Sequence, residues 1–388
     1  MPRKHRPGYF GLLPALLVAV AWLALLGTAL ADAMPPRVLA AREGRGYLEQ
    51  VGPQLVLHLR GTPAEMGRQH GVLLRQHIRG NFANLMRKAQ ELAGGNVSFG
   101  WALMDTVWGL QSRYLPDRFE QELRALADGA GLPYEQLRRG NTIPEFFHCS
   151  GFALFGGATK DGRLYHWRIL DYGVDWGLQE HAVVIIAEPK GLIPFANVGY
   201  AGFIGSVTGM NLRKLGFGEM GGGGVGKWSG TPMAFLVRRG LEEARTLDQA
   251  TKLFAESKRT CEYHYVVSDA KVPGAVRIWA TPEQIEFVGP NKAKEPMGTP
   301  IRDGVLLSAG GRYRLLVKRV QEKWGSLDAA GCLELMRRPL AMESCLHAAL
   351  MAPGTGELWV AHATAAGGPA SEQPYTYLSI PELMAGMP

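Results

Sequence analysis

Apolar and polar positions divide the chain into a helical first part and a strand-rich second part. Leu55 to Leu59 reads as a strand that stops at Gly61. Thr62-Pro63-Ala64-Glu65 follows with an N-cap, a first-turn proline and a glutamate three residues on, the signature of a capping box. Leu73, Leu74, His77, Ile78 and Met86 recur near helical spacing, which predicts a helix from Pro63 to about Leu92 and helical character to about Leu137. From Cys149 the pattern becomes extended. Cys149 to Phe155 and Leu164 to Leu170 read as two strands joined by a turn at Lys160-Asp161-Gly162. Further strands are predicted at Ala182 to Ala187, Tyr265 to Val267, Ala275 to Trp279 and Leu358 to Ala361, with helices at Met233 to Ala244, Leu247 to Glu256 and Arg314 to Lys323. Hairpin-linked strands with helices inserted in blocks predict layered α and β structure and not a regular βαβ alternation.

The hairpin carries a geometric expectation. If its turn centres on Asp161-Gly162, paired positions sum to about 323, so Cys149 faces the region from Asp171 to Val174 with Arg168 a few residues inward. A thiol, a guanidinium and a carboxylate then meet at one sheet edge. The positive charge favours a thiolate, and the aspartate can orient a base or hold the arginine. On geometry alone, a core cysteine beside a structural ion pair is the competing reading.

Composition narrows the class. Apolar residues make up 46% of the 388 positions and charged residues 20%, so the chain can bury a core. Its 50 glycines, about 13% against a typical 7%, follow no three-residue period and point to tight turns in a sheet-rich architecture. The net charge of +7 falls to +4 without Arg3, Lys4 and Arg6, and no basic stripe interleaves with aromatics, so nothing calls for a nucleic-acid partner.

Those basic residues open a leader. Arg3, Lys4, His5 and Arg6 precede an apolar run from Tyr9 to Leu30, and Ala29-Leu30-Ala31 stands before Asp32, the layout of a secretory signal over residues 1–31. The expectation is a periplasmic or secreted protein, or one anchored to a membrane through the leader if it is retained. Cys149, Cys261, Cys332 and Cys345 form no C-x-x-C pair. With Cys149 reserved for chemistry, at most one disulfide is available among the other three, with free buried thiols the alternative.

No histidine stands at a papain-like spacing from Cys149, so a nucleophilic thiol needs another base. Scission between His148 and Cys149 would supply one. The freed α-amino group, with a pKa of about 7.7 to 8.0, sits on the same residue as the thiol.

Five segments in order then resemble the N-terminal-nucleophile (Ntn) hydrolases of the isopenicillin N acyltransferase family, distantly related to bile salt hydrolases and penicillin V acylases. They are Gly61 to Gly71, Cys149-Ser150, Arg168-Ile169-Leu170-Asp171, Thr208-Gly209-Met210-Asn211 and Ser308-Ala309-Gly310-Gly311-Arg312-Tyr313. The resemblance implies an α+β fold, a four-layer αββα sandwich with a mainly helical prosegment at 32–148 and a catalytic domain at 149–388. It further implies autocatalytic scission before Cys149 and cleavage or transfer of an acyl group at an amide. On this resemblance Arg168 and Asp171 would hold the amino group and the substrate, Asn211 would donate to the oxyanion, and Arg312 would close the site, with Arg314 as the alternative. Two segments depart from the family pattern. Tyr263-His264-Tyr265 replaces an asparagine-bearing strand start, which makes His264 either a substrate contact or a core residue. Leu212 to Gly216 replaces the usual E-x-G-L.

Other signals weigh little. Gly221 to Lys227 fits G-x-x-x-x-G-K, but Trp228 stands where magnesium needs Ser or Thr. His70 and His77 share a helix face without a third ligand, and no G-x-S-x-G is present. The sequence therefore points to an exported, self-processing cysteine amidohydrolase or acyltransferase. It would act on small N-acyl amides without cofactor or metal, its two fragments free to stay associated. The alternative is a non-catalytic protein of the same fold that binds an amide or lipid-like ligand.

Overall fold

The computed structural model describes residues 33–92, 94, 97–142, 148–292 and 299–386, so the expected leader lies outside the described residues. Strands β1 (Arg37–Glu43), β2 (Gly46–Val51) and β3 (Gln54–Gly61) lead into helices α1 (Pro63–Leu73), α2 (Arg75–Leu92), α3 (Val97–Gln111), α4 (Asp117–Ala130) and α5 (Tyr134–Thr142). The capping box is formed: Glu65 N–H donates to Thr62 Oγ1 at 3.3 Å, and Thr62 N–H to Glu65 Oε2 at 2.7 Å. The single helix expected from Pro63 to Leu92 is two, because Leu74 leaves helical geometry at φ −112°, ψ 22°. Helices α1 and α4 touch backbone to backbone, since a Cβ on Gly67 would lie 2.1 Å from Glu122 O and one on Gly71 2.4 Å from Leu126 O. Part of the glycine excess thus serves helix packing and not turns.

The chain continues through β4 (His148–Gly156), β5 (Gly162–Asp171), β6 (Ala182–Pro189), β7 (Phe195–Tyr200), β8 (Thr208–Asn211) and β9 (Leu215–Gly221). After α6 (Met233–Glu243) and α7 (Leu247–Glu256) come β10 (Tyr263–Asp269), β11 (Gly274–Ala280), β12 (Ile285–Val288) and β13 (Gly304–Leu307). Helices α8 (Gly310–Glu322) and α9 (Ala329–Leu335), strands β14 (Cys345–Ala352), β15 (Glu357–His362) and β16 (Thr376–Ser379), and α10 (Ile380–Met384) complete it.

These strands form a ten-stranded sheet, β1-β2-β3-β6-β7-β8-β9-β10-β11-β12, and a six-stranded sheet, β13-β4-β5-β14-β15-β16. Their inner faces share a core in which Val184, Ile186, Val198 and Met210 of the larger sheet meet Ala349, Met351, Leu358 and Val360 of the smaller. Helices α1, α6 and α7 pack on the larger sheet, and α8 and α9 on the smaller. This is the α+β, four-layer αββα sandwich expected from the sequence.

The segment before Cys149 is less helical than expected. Its three strands belong to the larger sheet, where β3 pairs in parallel with β6 from Val56↔Val184 to Gly61↔Pro189, the other ladders between the named strands of the described residues being antiparallel. A buried ion cluster ties the helices of the two segments. Arg238 on α6 donates to both carboxylate oxygens of Glu122 on α4 (2.9 and 2.6 Å), to Glu242 (3.0 Å) and to Ile204 O (2.7 Å). Removing one member of such a buried set strands the other's charge. Glu122→Ala is expected to lower unfolding free energy by about 3 to 5 kcal/mol in urea titration; a change within about 0.5 kcal/mol would show that the cluster carries no such load.

Candidate active site

The β4–β5 hairpin places the first functional groups. Its register pairs Cys149 with Leu170 and Gly151 with Arg168, four positions tighter than expected from a turn at Asp161-Gly162. The strands end at Gly156 and Gly162, both left-handed (φ +56° and +71°), and residues 157–161 form the turn between them. A four-residue error leaves each side chain on its expected face, because faces alternate with period two. Cys149 and Arg168 accordingly share the face that looks across at the larger sheet.

Arg168 is fully buried there and organises the site. Its Nη2 donates to Cys149 Sγ at 3.1 Å and lies 3.4 Å from Glu219 Oε2, its Nε donates to Glu219 O at 3.1 Å, and its Nη1 donates to His347 Nε2 at 3.0 Å. The side chain fits because β9 leaves room: a Cβ on Gly218 would lie 3.0 Å from His166 Nε2 and 3.1 Å from Arg168 Cγ. At the head of the hairpin Asp171 pairs in register with His148 and accepts from Arg312 Nη1 at 2.7 Å and Met342 N at 3.2 Å. Arg312 reaches it from the first turn of α8, which begins four residues before the helix expected at Arg314. Arg314 itself is exposed. Ser308 and Ser150 hydroxyls are 2.7 Å apart, which seats this segment beside the strand of Cys149.

The structure thus brings together Cys149, Arg168, Asp171 and Arg312, and adds Glu219 and His347. Burial pushes the Cys149 thiol up to about 12, with Glu219 and Asp171 adding to the rise and Arg168 opposing it. Burial also lifts Asp171 above the ordinary carboxylate range against the pull of Arg312. His347 is held well below its usual value by burial, then by Arg168 and His362. In the chain joined at His148–Cys149, Cys149 is therefore a neutral thiol next to a fixed positive charge.

Asn211 is not brought to the thiol. Thr208 and Met210 face the smaller sheet, so Gly209 and Asn211 face α6, and Asn211 spends its amide there. Its Nδ2 donates to Leu241 O and Ala244 O (3.0 and 2.9 Å), and its Oδ1 accepts from Arg213 N and Leu215 N. The expected oxyanion donor is instead a clamp between β8 and α6. Thr208 of the same motif is the inward residue, with Oγ1 2.9 Å from His347 Nε2. His264 lies on β10 opposite Met220, on the inner face with Ser268, and makes no hydrogen bond to Cys149. Its Nδ1 is buried without a partner, and burial and Arg277 lower its pKa to about 4.

The discounted motifs have structural roles. Lys227 pairs with Glu283 at 3.1 Å, and its glycine loop packs along Cys261 and Glu262 with no helix directly after it. His70 Nε2 accepts from Gly202 N at 3.0 Å, and His77 lies 3.4 Å from His181. Among the described residues no group of three or more His, Cys, Asp or Glu could hold a metal ion. All four cysteines are buried and free, so no disulfide joins Cys332 to Cys345.

No family model matches the chain. Protein dcd1A of Dictyostelium discoideum is 28% identical over 262 residues, 58% of this chain and 58% of that protein. Acid ceramidase of Balaenoptera acutorostrata scammoni is 26% identical over 186 residues (40% and 45%), and N-acylethanolamine-hydrolyzing acid amidase of Rattus norvegicus 24% over 167 residues (40% and 44%). The chain spans about half the length of these curated relatives. A solved Caenorhabditis elegans N-acylethanolamine-hydrolyzing acid amidase ortholog aligns with TM-score 0.43 and 15% identity over 53% of this chain and 93% of that one. The chain is a distant sequence relative of these proteins over part of its length.

Glu219, His347 and Tyr200 were not singled out from sequence. Glu219 had a signal, a lone carboxylate in the otherwise apolar strand Leu215–Gly221. A narrow cleft of about 60 Å³ adjoins this cluster, lined by Leu170, Leu178, Val198, Tyr200, Phe203 and Glu219 among others, and its wall is almost wholly apolar. Leu170 is the register partner of Cys149, so the cleft opens beside the thiol. Because a thiol raised to about 12 is protonated at neutral pH, Cys149 in a chain joined at His148–Cys149 should resist iodoacetamide. Peptide mass spectrometry of the uncut fraction is expected to show its alkylation far slower at pH 8.5 than in the guanidinium-unfolded chain, with acceleration only near pH 11 to 12. Equal rates at pH 8.5 would contradict this electrostatic picture.

Proposed function

We propose that this protein is an exported, self-processing cysteine amidase that hydrolyses small N-acyl amides through an acyl-enzyme on Cys149, as an Ntn hydrolase akin to the isopenicillin N acyltransferase family. The observation that carries the reading is the Cys149 thiol held 3.1 Å from a buried guanidinium, beside an apolar cleft fit for an acyl group. The distant relatives, an acid ceramidase and an N-acylethanolamine-hydrolyzing amidase among them, support amide chemistry.

Maturation in this reading is an internal acyl shift. Cys149 Sγ attacks the carbonyl carbon of His148, the His148–Cys149 C–N bond breaks, and water hydrolyses the resulting thioester. His148 is left with a carboxylate and Cys149 with an α-amine. In turnover that amine takes the thiol proton as sulfur bonds to the substrate's acyl carbon, then delivers it to the departing amine. Water next attacks the thioester, releases the carboxylic acid and restores the thiol. Arg168 holds the sulfur, Asp171 with Arg312 fixes the head of the hairpin near the new amine, and His264 is available to the leaving side of the substrate. Export away from acyl-coenzyme A favours water over an acyl donor cycle, hence hydrolysis over transfer.

The division of the chain follows: residues 1–31 are a leader, 32–148 a prosegment that stays in place as a subunit, and 149–388 the catalytic segment. Purified wild-type protein is expected to yield a fragment beginning at Cys149 and to turn over members of a panel of N-acyl amino acids, penicillins and bile amides. Cys149→Ala should remain one chain with turnover reduced at least about 10³-fold. Cutting at the same bond, or sustained turnover, in Cys149→Ala would refute the assignment.

A further inference from the structure

The cleft beside Cys149 is almost entirely apolar, yet one hydrogen-bond donor in its wall is left without an acceptor among the described residues. His347, on β14, stands between the guanidinium and that wall. Arg168 Nη1 can only donate, so at 3.0 Å it makes His347 Nε2 an acceptor, and the Thr208 hydroxyl approaches the same nitrogen at 2.9 Å. Burial and the adjacent guanidinium keep the imidazole neutral. Its one proton must then sit on Nδ1, which lies 3.1 Å from Tyr200 Oη. The phenol oxygen thereby accepts, and its own hydrogen goes to no described group, although Tyr200 is only 6% exposed and lines the cleft. A buried donor without an acceptor is costly and is ordinarily met by a ligand or an ordered water.

The position of Tyr200 says which part of a substrate it meets. Strand β9 lies across from β4, and β7, which ends at Tyr200, is two strands removed from β9. At the ordinary spacing of about 4.8 Å per strand, the phenol sits roughly 10 Å to the side of the thiol. Its hydrogen therefore addresses the body of the acyl group and not the carbonyl under attack.

We propose that Tyr200, oriented by His347, is a specificity-determining donor that selects acyl groups carrying an oxygen acceptor, such as a keto group, part-way along an otherwise apolar chain. The inference rests on the amidase reading for its substrate and on the Arg168–His347–Tyr200 chain for its selectivity.

The test uses the processed wild-type protein and its Tyr200→Phe variant with fluorogenic amides of a saturated fatty acid and of a series with one keto group moved along the chain. Wild type is expected to favour one keto position by about tenfold or more in kcat/KM over the saturated amide, and Tyr200→Phe to bring that ratio to near one. A wild-type ratio near one at every position, or a preference that survives in Tyr200→Phe, would overturn the proposal and indicate that the phenol faces a water. Calorimetric binding of the matching free acids to the same two proteins separates this from failure of the amidase reading. If no amide is turned over, a tighter fit of one keto acid that Tyr200→Phe abolishes still upholds the donor. Equal binding of keto and saturated acids refutes it.

Discussion

A guanidinium buried between two sheets is the constraint on which the site depends. Arg168 has no solvent to stabilise its charge, so its five N–H groups must find acceptors and its charge a counter-ion within the sandwich. It reaches Glu219 on the facing sheet, His347 on the neighbouring strand, and Cys149 across the hairpin. Each contact comes from a different part of the chain, and each is fixed because the arginine cannot leave. Gly218 leaves room for the same stem, since a Cβ there would press on Arg168 Cγ at 3.1 Å.

From this follows a division of labour around one sulfur. Arg168 favours the thiolate, while burial and the carboxylates of Glu219 and Asp171 favour the thiol, and in the uncut chain the thiol prevails. The His148–Cys149 bond lies at the start of β4, and the segments before and after it are tied through the parallel β3–β6 ladder of the larger sheet and the Glu122–Arg238 cluster.

Much of this was legible in the sequence, and what was not has physical causes. The thiol, Arg168 and Asp171 could be grouped because they share one hairpin and strand periodicity tolerates an even register error, whereas Arg312 entered only through the resemblance. The resemblance misled at Asn211: in Thr208-Gly209-Met210-Asn211 only alternate residues face inward, and the motif does not say which pair does. His347 was hidden in Cys345–Ala352, a wholly buried, alanine-rich run that periodicity cannot distinguish from a buried helix. Glu219, marked only as a lone carboxylate in an apolar strand, and Tyr200, unmarked, reach the cleft through the order of strands in the larger sheet, a long-range property. The N-terminal strands were undervalued because the capped helix after them dominates the pattern.

The central claim is that Cys149, as a free N-terminal residue, carries the acyl group during turnover. Rapid acid quench of the processed protein with a turned-over N-acyl amide, followed by peptide mass spectrometry, tests it directly. The account predicts an N-terminal peptide beginning at Cys149 whose mass rises by the acyl group, on the thiol, and which disappears as substrate is exhausted. Turnover with the acyl adduct on another residue, or by a chain still joined at His148–Cys149, would contradict it.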